Sequence, residues 1–413
     1  MIIAADWVFP VTSPPLKKHT VVIENERILE IRPSISSDPY IQESCILPGL
    51  INTHTHLAYT CLRNQFDQEP FFSWIRKLTK TKYEVLKEQD FVDSTRLGIY
   101  ENLRAGITTV ADLSDIEASL KVFSESPMRG IFYWEVFGVE KEQANKTWNT
   151  LPETYVRLKQ QYESARLRIG VSPHSCYTVR PELYEKIAKW TLNEKIPVSF
   201  HVAESKEEES FISSREGVIA EFLRERAADW NFLGASSISH LEKTGIFRSR
   251  PLVAHGVQAS NEDLQILADA DVAVSYCPKS NAKFGHGIAP IVAMLDKGVR
   301  LGLGSDSAAS NNRFDLFEEA RFGLLQQRCR EKKQILSEQL MLEMMTIRGA
   351  EALRMETEIG SLEPNKLADL IVVKIPQQYQ TSNQVLNHLI HNSTANDVMK
   401  TVIGGNEVFY DAD

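Results

Sequence analysis

The chain has 413 residues, 43% hydrophobic and 24% charged, proportions that exclude a disordered chain, a collagen-like repeat and a small disulfide scaffold. Its length suits about two to three domains, or one large barrel. With 46 Lys and Arg against 55 Asp and Glu, the net charge is −9, which argues against a surface built to follow a nucleic-acid backbone.

In chain order, residues 1–48 read as short strands at 7–9, 20–23 and 27–31, separated by Pro and Asn-Glu turns. No basic and apolar leader opens the chain at Met1, and no run of about 18 apolar residues follows, so neither a signal peptide nor a membrane span is expected. The five cysteines, Cys45, Cys61, Cys176, Cys277 and Cys329, are odd in number and far apart. They read as reduced thiols of a soluble cytoplasmic protein rather than as a zinc ribbon or CxxC pair.

Eight short apolar runs come next, at 46–47, 108–110, 130–134, 167–171, 197–200, 251–254, 272–276 and 300–303. Amphipathic stretches such as 93–105, 181–193 and 261–270 lie between them with helical spacing. Strand-then-helix alternation repeated eight times predicts the α/β class and a closed (β/α)8 TIM-type barrel over residues 49–359. Glu207 to Glu209 reads as a solvated helix start. The last fifty residues are strand-rich again, at 368–373, 398–402 and 408–410. Residues 1–48 and 360–413 are therefore expected to pair as a small composite β-sandwich.

In such a barrel the chemistry sits where strands run into loops. The first strand ends in His54-Thr-His56, and alternate strand residues share a face. His201 closes the fifth run, His255 the sixth and Asp306 the eighth. One strand-end histidine is ordinarily a hydrogen-bonded core residue. An HxH pair joined by three more such groups at one rim is not explained by packing. Three imidazoles and one carboxylate suit a divalent metal, Zn²⁺ first, with Fe²⁺ or Mn²⁺ also compatible.

This constellation resembles the amidohydrolase superfamily over nearly the whole chain. The likeness rests on Pro48-Gly-Leu-Ile-Asn-Thr-His-Thr-His56, His201-Val-Ala-Glu204, Ala254-His255-Gly256, Leu303-Gly-Ser-Asp306 and the closing stretch 359–370. In that stretch Asn365 stands where members usually carry Gly, a mild departure because Asn also tolerates a left-handed turn. Two-metal members use a carbamylated Lys at the end of the fourth strand, and segment 130–138, taken for that position, has none. The resemblance thus implies the mononuclear branch: His54, His56, His201 and Asp306 hold one metal per subunit, while His255 and Asp306 handle the proton of a water. Glu204 would protonate a ring nitrogen and the departing amine. On a continuing strand it would point away from His201, so the chain must turn there, unless Glu204 is simply a first-turn carboxylate of a helix.

HxAE, His174-Ser-Cys-Tyr-Thr178 and Cys277-Pro-Lys-Ser-Asn281 together resemble adenosine-derivative deaminases. That group includes S-adenosylhomocysteine/methylthioadenosine deaminases and the aminodeoxyfutalosine deaminases of the alternative menaquinone pathway. It implies a small nucleoside substrate, with His174 at the ribose and Glu84 accepting both ribose hydroxyls; a structural His174 and a solvent-facing Glu84 are the plainer readings. Adenosylhomocysteine deaminases tend to carry Arg in the run beginning at Gly130, whereas this chain has Trp134-Glu135 there and no Arg between Gly130 and Lys141. An acidic Glu135 is closer to aminodeoxyfutalosine deaminases, whose substrate's aryl group would suit Trp74, Phe71 or Trp134. Lys279, Lys283, Arg180 and Arg313 remain open as partners for a substrate carboxylate.

The alternatives within the superfamily are an adenosylhomocysteine/methylthioadenosine deaminase, a free-base deaminase and a triazine chlorohydrolase. A relative that has lost its activity conflicts with the complete ligand set. Ser280-x-x-Lys283 has the spacing of a penicillin-binding nucleophile pair but lacks the Lys-Thr-Gly partner, and reads as chance. A homodimer is implied by the resemblance alone, since no apolar stripe in the sequence belongs to an interface rather than to a barrel helix. His19, His240, His286, His388 and His391 read as ordinary histidines.

Overall fold

A computed structural model describes residues 1–411. Four strands open the chain: β1 (Ile2–Val8), β2 (Leu16–Glu24), β3 (Arg27–Pro33) and β4 (Tyr40–Pro48). Eight follow in the middle: β5 (Leu50–Thr55), β6 (Ile107–Ser114), β7 (Arg129–Val136), β8 (Leu167–Pro173), β9 (Ser199–Val202), β10 (Leu252–His255), β11 (Ala273–Tyr276) and β12 (Arg300–Leu303). Three close it: β13 (Leu370–Lys374), β14 (Val398–Ile403) and β15 (Asn406–Tyr410).

The strands of the two chain ends make one seven-stranded mixed sheet in the order β15-β14-β13-β4-β1-β2-β3. The β2–β3 hairpin turns at Asn25 and Glu26, both left-handed with φ of 48° and 65°, as a two-residue hairpin whose twist matches its strands requires. Side chains alternate across this sheet. Ile3, Ala5, Ile46, Leu370 and Val372 line its own core, while Trp7, Cys45, Leu47, Ile371 and Val373 join the core shared with the barrel. Asn365 takes the left-handed turn expected of it, with φ 73°, and donates its N–H to Ile28 O.

The eight middle strands form two parallel four-stranded arcs, β5-β6-β7-β8 and β12-β11-β10-β9. Val171 N–H bonds Pro197 O at 2.9 Å across one seam; Asp306 N–H bonds His54 O at 2.9 Å across the other. The arcs thereby close into the (β/α)8 barrel. Helices Glu88–Arg104, Pro181–Glu194 and Asn261–Asp269 cover the three amphipathic stretches. Among the described residues, no helix is long and apolar enough to cross a membrane, and all five cysteines are free.

Two strand assignments are corrected. The run 46–47 lies in β4, paired with β1 and β13, so the first barrel strand is β5. The chain changes sheets at Gly49, where a Cβ would meet the Thr108 side chain at 2.2 Å. Segment 130–138 belongs to the third barrel strand, β7; the fourth is β8, and it runs into His174. No Lys occurs between 167 and 180 either.

Candidate active site

Non-glycine residues in left-handed backbone conformations stand where three barrel strands end: Ala203 (φ 51°), His255 (φ 75°) and Asp306 (φ 57°). Each such residue costs of order 1–3 kcal/mol and persists only where its surroundings over-determine it. Here the turns swing side chains over the barrel mouth.

His54, His56 and Asp306 offer ligand atoms within 4.8 Å of one another, as do His54, His201 and His255. His56 Nδ1 donates to Leu113 O and His201 Nδ1 to His174 O, both at 2.9 Å. Both Nε2 atoms therefore carry lone pairs, yet they face each other at 3.2 Å. Asp306 Oδ1 lies 3.6 Å from His54 Nε2 and 3.7 Å from His56 Nε2. Its other oxygen is occupied by the hydroxyls of Ser280 and Ser310, each at 2.7 Å. Both nitrogens of buried His54 lack a hydrogen-bond partner. Burial, reinforced by neighbouring imidazoles, holds His54 well below its usual pKa, and burial brings His56 down to about 4. Converging lone pairs and one carboxylate oxygen call for a cation, and this N/O donor set fits a divalent transition metal.

Glu204 does turn inward, and the turn is built by a residue that sequence reasoning left in solvent. Glu208, in the helix Lys206–Ser213, is fully buried and accepts the N–H of Ala203 at 2.7 Å and of Glu204 at 3.0 Å. Ser205, not Glu204, caps that helix. Glu204 Oε1 stands 3.6 Å from His255 Nε2 and 3.5 Å from His286 Nε2. Burial opposes its ionisation, but these imidazoles hold the carboxyl down to about 2. His286 thus belongs to the site, against its ordinary reading. Asn281 Oδ1 fixes His255 through Nδ1 at 2.9 Å.

Above this centre opens a cavity of about 910 Å³ lined by His56, His174, His201, Glu204, His255 and Asp306 at its floor. Phe71, Trp74 and Phe284 form one wall, with Trp74 and Phe284 ring centroids 4.8 Å apart and Phe71 and Phe284 5.1 Å apart. His174 lies beside His201, ring centroids 4.8 Å apart, and its Nδ1 contacts Thr178 Oγ1 at 2.9 Å. Glu135 is buried in the cavity wall, and burial pushes its carboxyl up to about 8. Its strand neighbour Trp134 faces the opposite way, into the outer core, so it lines no part of the cavity.

Glu84 reaches only the rim, its side chain 62% exposed and 3.8 Å from Lys80. None of the four cations considered for a substrate carboxylate lines the cavity. Lys279 pairs with Glu318, Lys283 with Asp67 and Arg180 with Asp229. Ser280 and Lys283 are thereby committed to other partners. Lys82, in the helix Phe71–Glu84 and buried in the cavity wall, is not singled out by its sequence context.

The family model described as amidohydrolase family matches residues 45–408. A 5-methylthioadenosine/S-adenosylhomocysteine deaminase of Bacillus cereus is 30% identical over 408 residues, covering 95% of this chain and 89% of its own. A zinc-bound adenosine deaminase from Xanthomonas campestris superposes with a TM-score of 0.85 at 24% identity, over 98% of this chain and 92% of its own. An aminofutalosine deaminase of Helicobacter pylori, bound to methylthio-coformycin, gives 0.85 at 22% identity, over 99% and 100%.

Proposed function

The chain belongs to the amidohydrolase family, a hydrolase acting on C–N bonds, and on that premise we propose that it deaminates an adenosine derivative at C6 with one divalent metal. The observation that carries this reading is Glu204, folded back beside the converging imidazoles and 3.6 Å from His255. A simple metal store needs no such acid.

His54, His56, His201 and Asp306 are the residues that would hold the cation, with zinc the first choice for the donor set. When bound, such a cation would acidify a water molecule and so supply a hydroxide-like nucleophile near neutral pH. His255, fixed by Asn281, takes the water's proton at Nε2, and Asp306 orients the attacking oxygen. The proton crosses to Glu204 Oε1, which delivers it to the adenine ring nitrogen next to C6 and draws electrons from that carbon. A C6–O bond forms, Glu204 carries the remaining proton of that hydroxyl to the amine, the C6–N bond breaks, and ammonia departs, leaving an oxo group at C6.

For the substrate, 6-aminodeoxyfutalosine fits best. Glu135 occupies the cavity wall where an Arg would favour an amino-acid tail, and Phe71, Trp74 and Phe284 offer an aromatic wall to an aryl group. The test is a panel of 6-aminodeoxyfutalosine, S-adenosylhomocysteine, methylthioadenosine, adenine and a chlorotriazine, followed by ammonia release and, for the triazine, by chloride release. Highest kcat/KM on 6-aminodeoxyfutalosine supports the full reading. Preference for adenosylhomocysteine or methylthioadenosine overturns the substrate, and turnover of only the last two compounds overturns the class.

A further inference from the structure

The hydrolysis above gives His286 no part, yet the fold is built to bring it to Glu204. The ring is buried, with its side chain 3% exposed, and it does not line the cavity. It stands edge-on to Phe71, ring centroids 4.4 Å apart, and 5.7 Å from Phe284. Its backbone carbonyl accepts from Gln258 Nε2 at 2.6 Å. Gly285 and Gly287 on either side hold φ of 69° and 111°, the second a value that residues with a Cβ rarely adopt. His286 Nε2 has no hydrogen-bond partner, and it faces Glu204 Oε1 at 3.5 Å.

Two imidazoles thus meet one carboxylate oxygen, and their surroundings separate their roles. His255 gives its Nδ1 proton to Asn281 Oδ1 at 2.9 Å, so its Nε2 keeps a lone pair until it takes a proton from water. That lone pair, 3.6 Å from Oε1, offers the carboxylate nothing to hold it. A second bare lone pair on the other side would only add repulsion, so the neutral ring of His286 carries its proton on Nε2. At 3.5 Å this N–H approaches Oε1 without closing a hydrogen bond, and catalytic contacts of this kind tighten when substrate fills the site.

Resting on the acid–base role given to Glu204 above, we propose that His286 is a positioning residue for that carboxyl: its Nε2–H holds one lone pair of Glu204 Oε1 and keeps the other turned to His255, along the path of the proton. His286 itself transfers no proton.

The experiment is a double-mutant cycle on zinc-loaded protein, using the nucleoside that the panel prefers, with wild type, H286F, E204Q and E204Q/H286F, and with H286Q alongside. H286F keeps a ring against Phe71 and loses the N–H, whereas H286Q keeps an N–H donor. H286F should lower kcat about 10- to 100-fold with KM nearly unchanged. H286Q should lose less, and H286F should add little to the loss in E204Q. Independently of turnover, the ¹⁵N-histidine spectrum of the zinc-loaded wild type should show His286, assigned by its loss in H286Q, protonated on Nε2. A proton on Nδ1 alone overturns the inference even if H286F fails to fold. So does a wild-type kcat in H286F, a raised KM at unchanged kcat, or an H286Q no better than H286F. An equal loss in both backgrounds also overturns it and leaves His286 a packing role. If E204Q keeps full activity, the acid role of Glu204 falls; a failure confined to the His286 variants leaves that role standing.

Discussion

Glu208 accepts the backbone N–H of Glu204 at 3.0 Å and that of Ala203 at 2.7 Å. Those two bonds hold Ala203 at a φ of 51°, a conformation that ordinarily disfavours a Cβ. Without that turn, Glu204 would follow the strand and point away from His201. Replacing Glu208 by Ala strands two buried donors, at roughly 1–3 kcal/mol each. E208A should lose about 2–4 kcal/mol in urea unfolding and lower kcat more than about tenfold at unchanged metal content, with E208Q milder on both counts. A variant with normal kcat would separate the Glu208 latch from catalysis.

Removing the metal should destabilise the protein as well as silence it. His56 and His201 point lone pairs at each other across 3.2 Å, an arrangement that is repulsive without a cation. A ligand at about 100 times its Kd adds about 2.7 kcal/mol of stability. Chelation should therefore lower the melting temperature, and added Zn²⁺ should restore it; H201A should neither bind zinc nor respond to it. An unchanged melting temperature on chelation would remove the metal from the folded state's support.

The barrel and the terminal sheet are joined by a buried ion pair. Arg129, at the start of β7, donates from Nε to Asp369 Oδ2 at 2.7 Å, and Asp369 Oδ1 accepts the Gly404 N–H at 2.8 Å. Both side chains are almost fully buried. Breaking such a pair from one side leaves an uncompensated charge worth about 3–5 kcal/mol. D369A should cost that much by denaturant unfolding, and R129M/D369N should cost less than D369A alone. Equal losses would mean the two residues act separately.

Stability should fall as pH rises through neutrality, partly because of Glu319. Burial pushes its carboxyl from 4.5 up to about 8, and it accepts from Asn311 Nδ2 at 2.6 Å. Between those two values the unfolded carboxyl has lost its proton while the folded one keeps it, so unfolding gains favour with each step upward in pH. The slope from one group reaches at most about 1.4 kcal/mol per pH unit. E319Q, which cannot ionise, should show a flatter decline in urea midpoints measured from pH 5 to 8. Parallel curves for the two proteins would contradict the shift.

Much of this was legible in the sequence because it depends on local pattern. HxH on one strand, and polar groups directly after short apolar runs, reach the rim whenever the barrel forms. The residues that escaped notice are set by packing across the fold. His286 lies between Gly285 and Gly287 in the loop that follows β11 and the helix Pro278–Lys283, and only the closure of the barrel brings that loop to Glu204, beyond β9. Lys82 looks like one more helix lysine until the helix lies across the mouth and buries it against Asp115. Glu208 sits in an acidic triplet that reads as solvated, but its helix face turns toward the Ala203 turn. The misassigned first strand has an equally plain cause: apolar runs identify strands, not the sheet each one joins, and β4 continues into β5 through Gly49 alone.

Replacement of the amine at C6 of an adenine ring by water is read most directly from turnover of whichever nucleoside the panel prefers in ¹⁸O-labelled water, with the product base analysed by mass spectrometry. One ¹⁸O should enter the base per ammonia released, and E204Q should lose both by a factor of roughly 10²–10⁴. An unlabelled base, or label appearing on a released sugar instead, would contradict it.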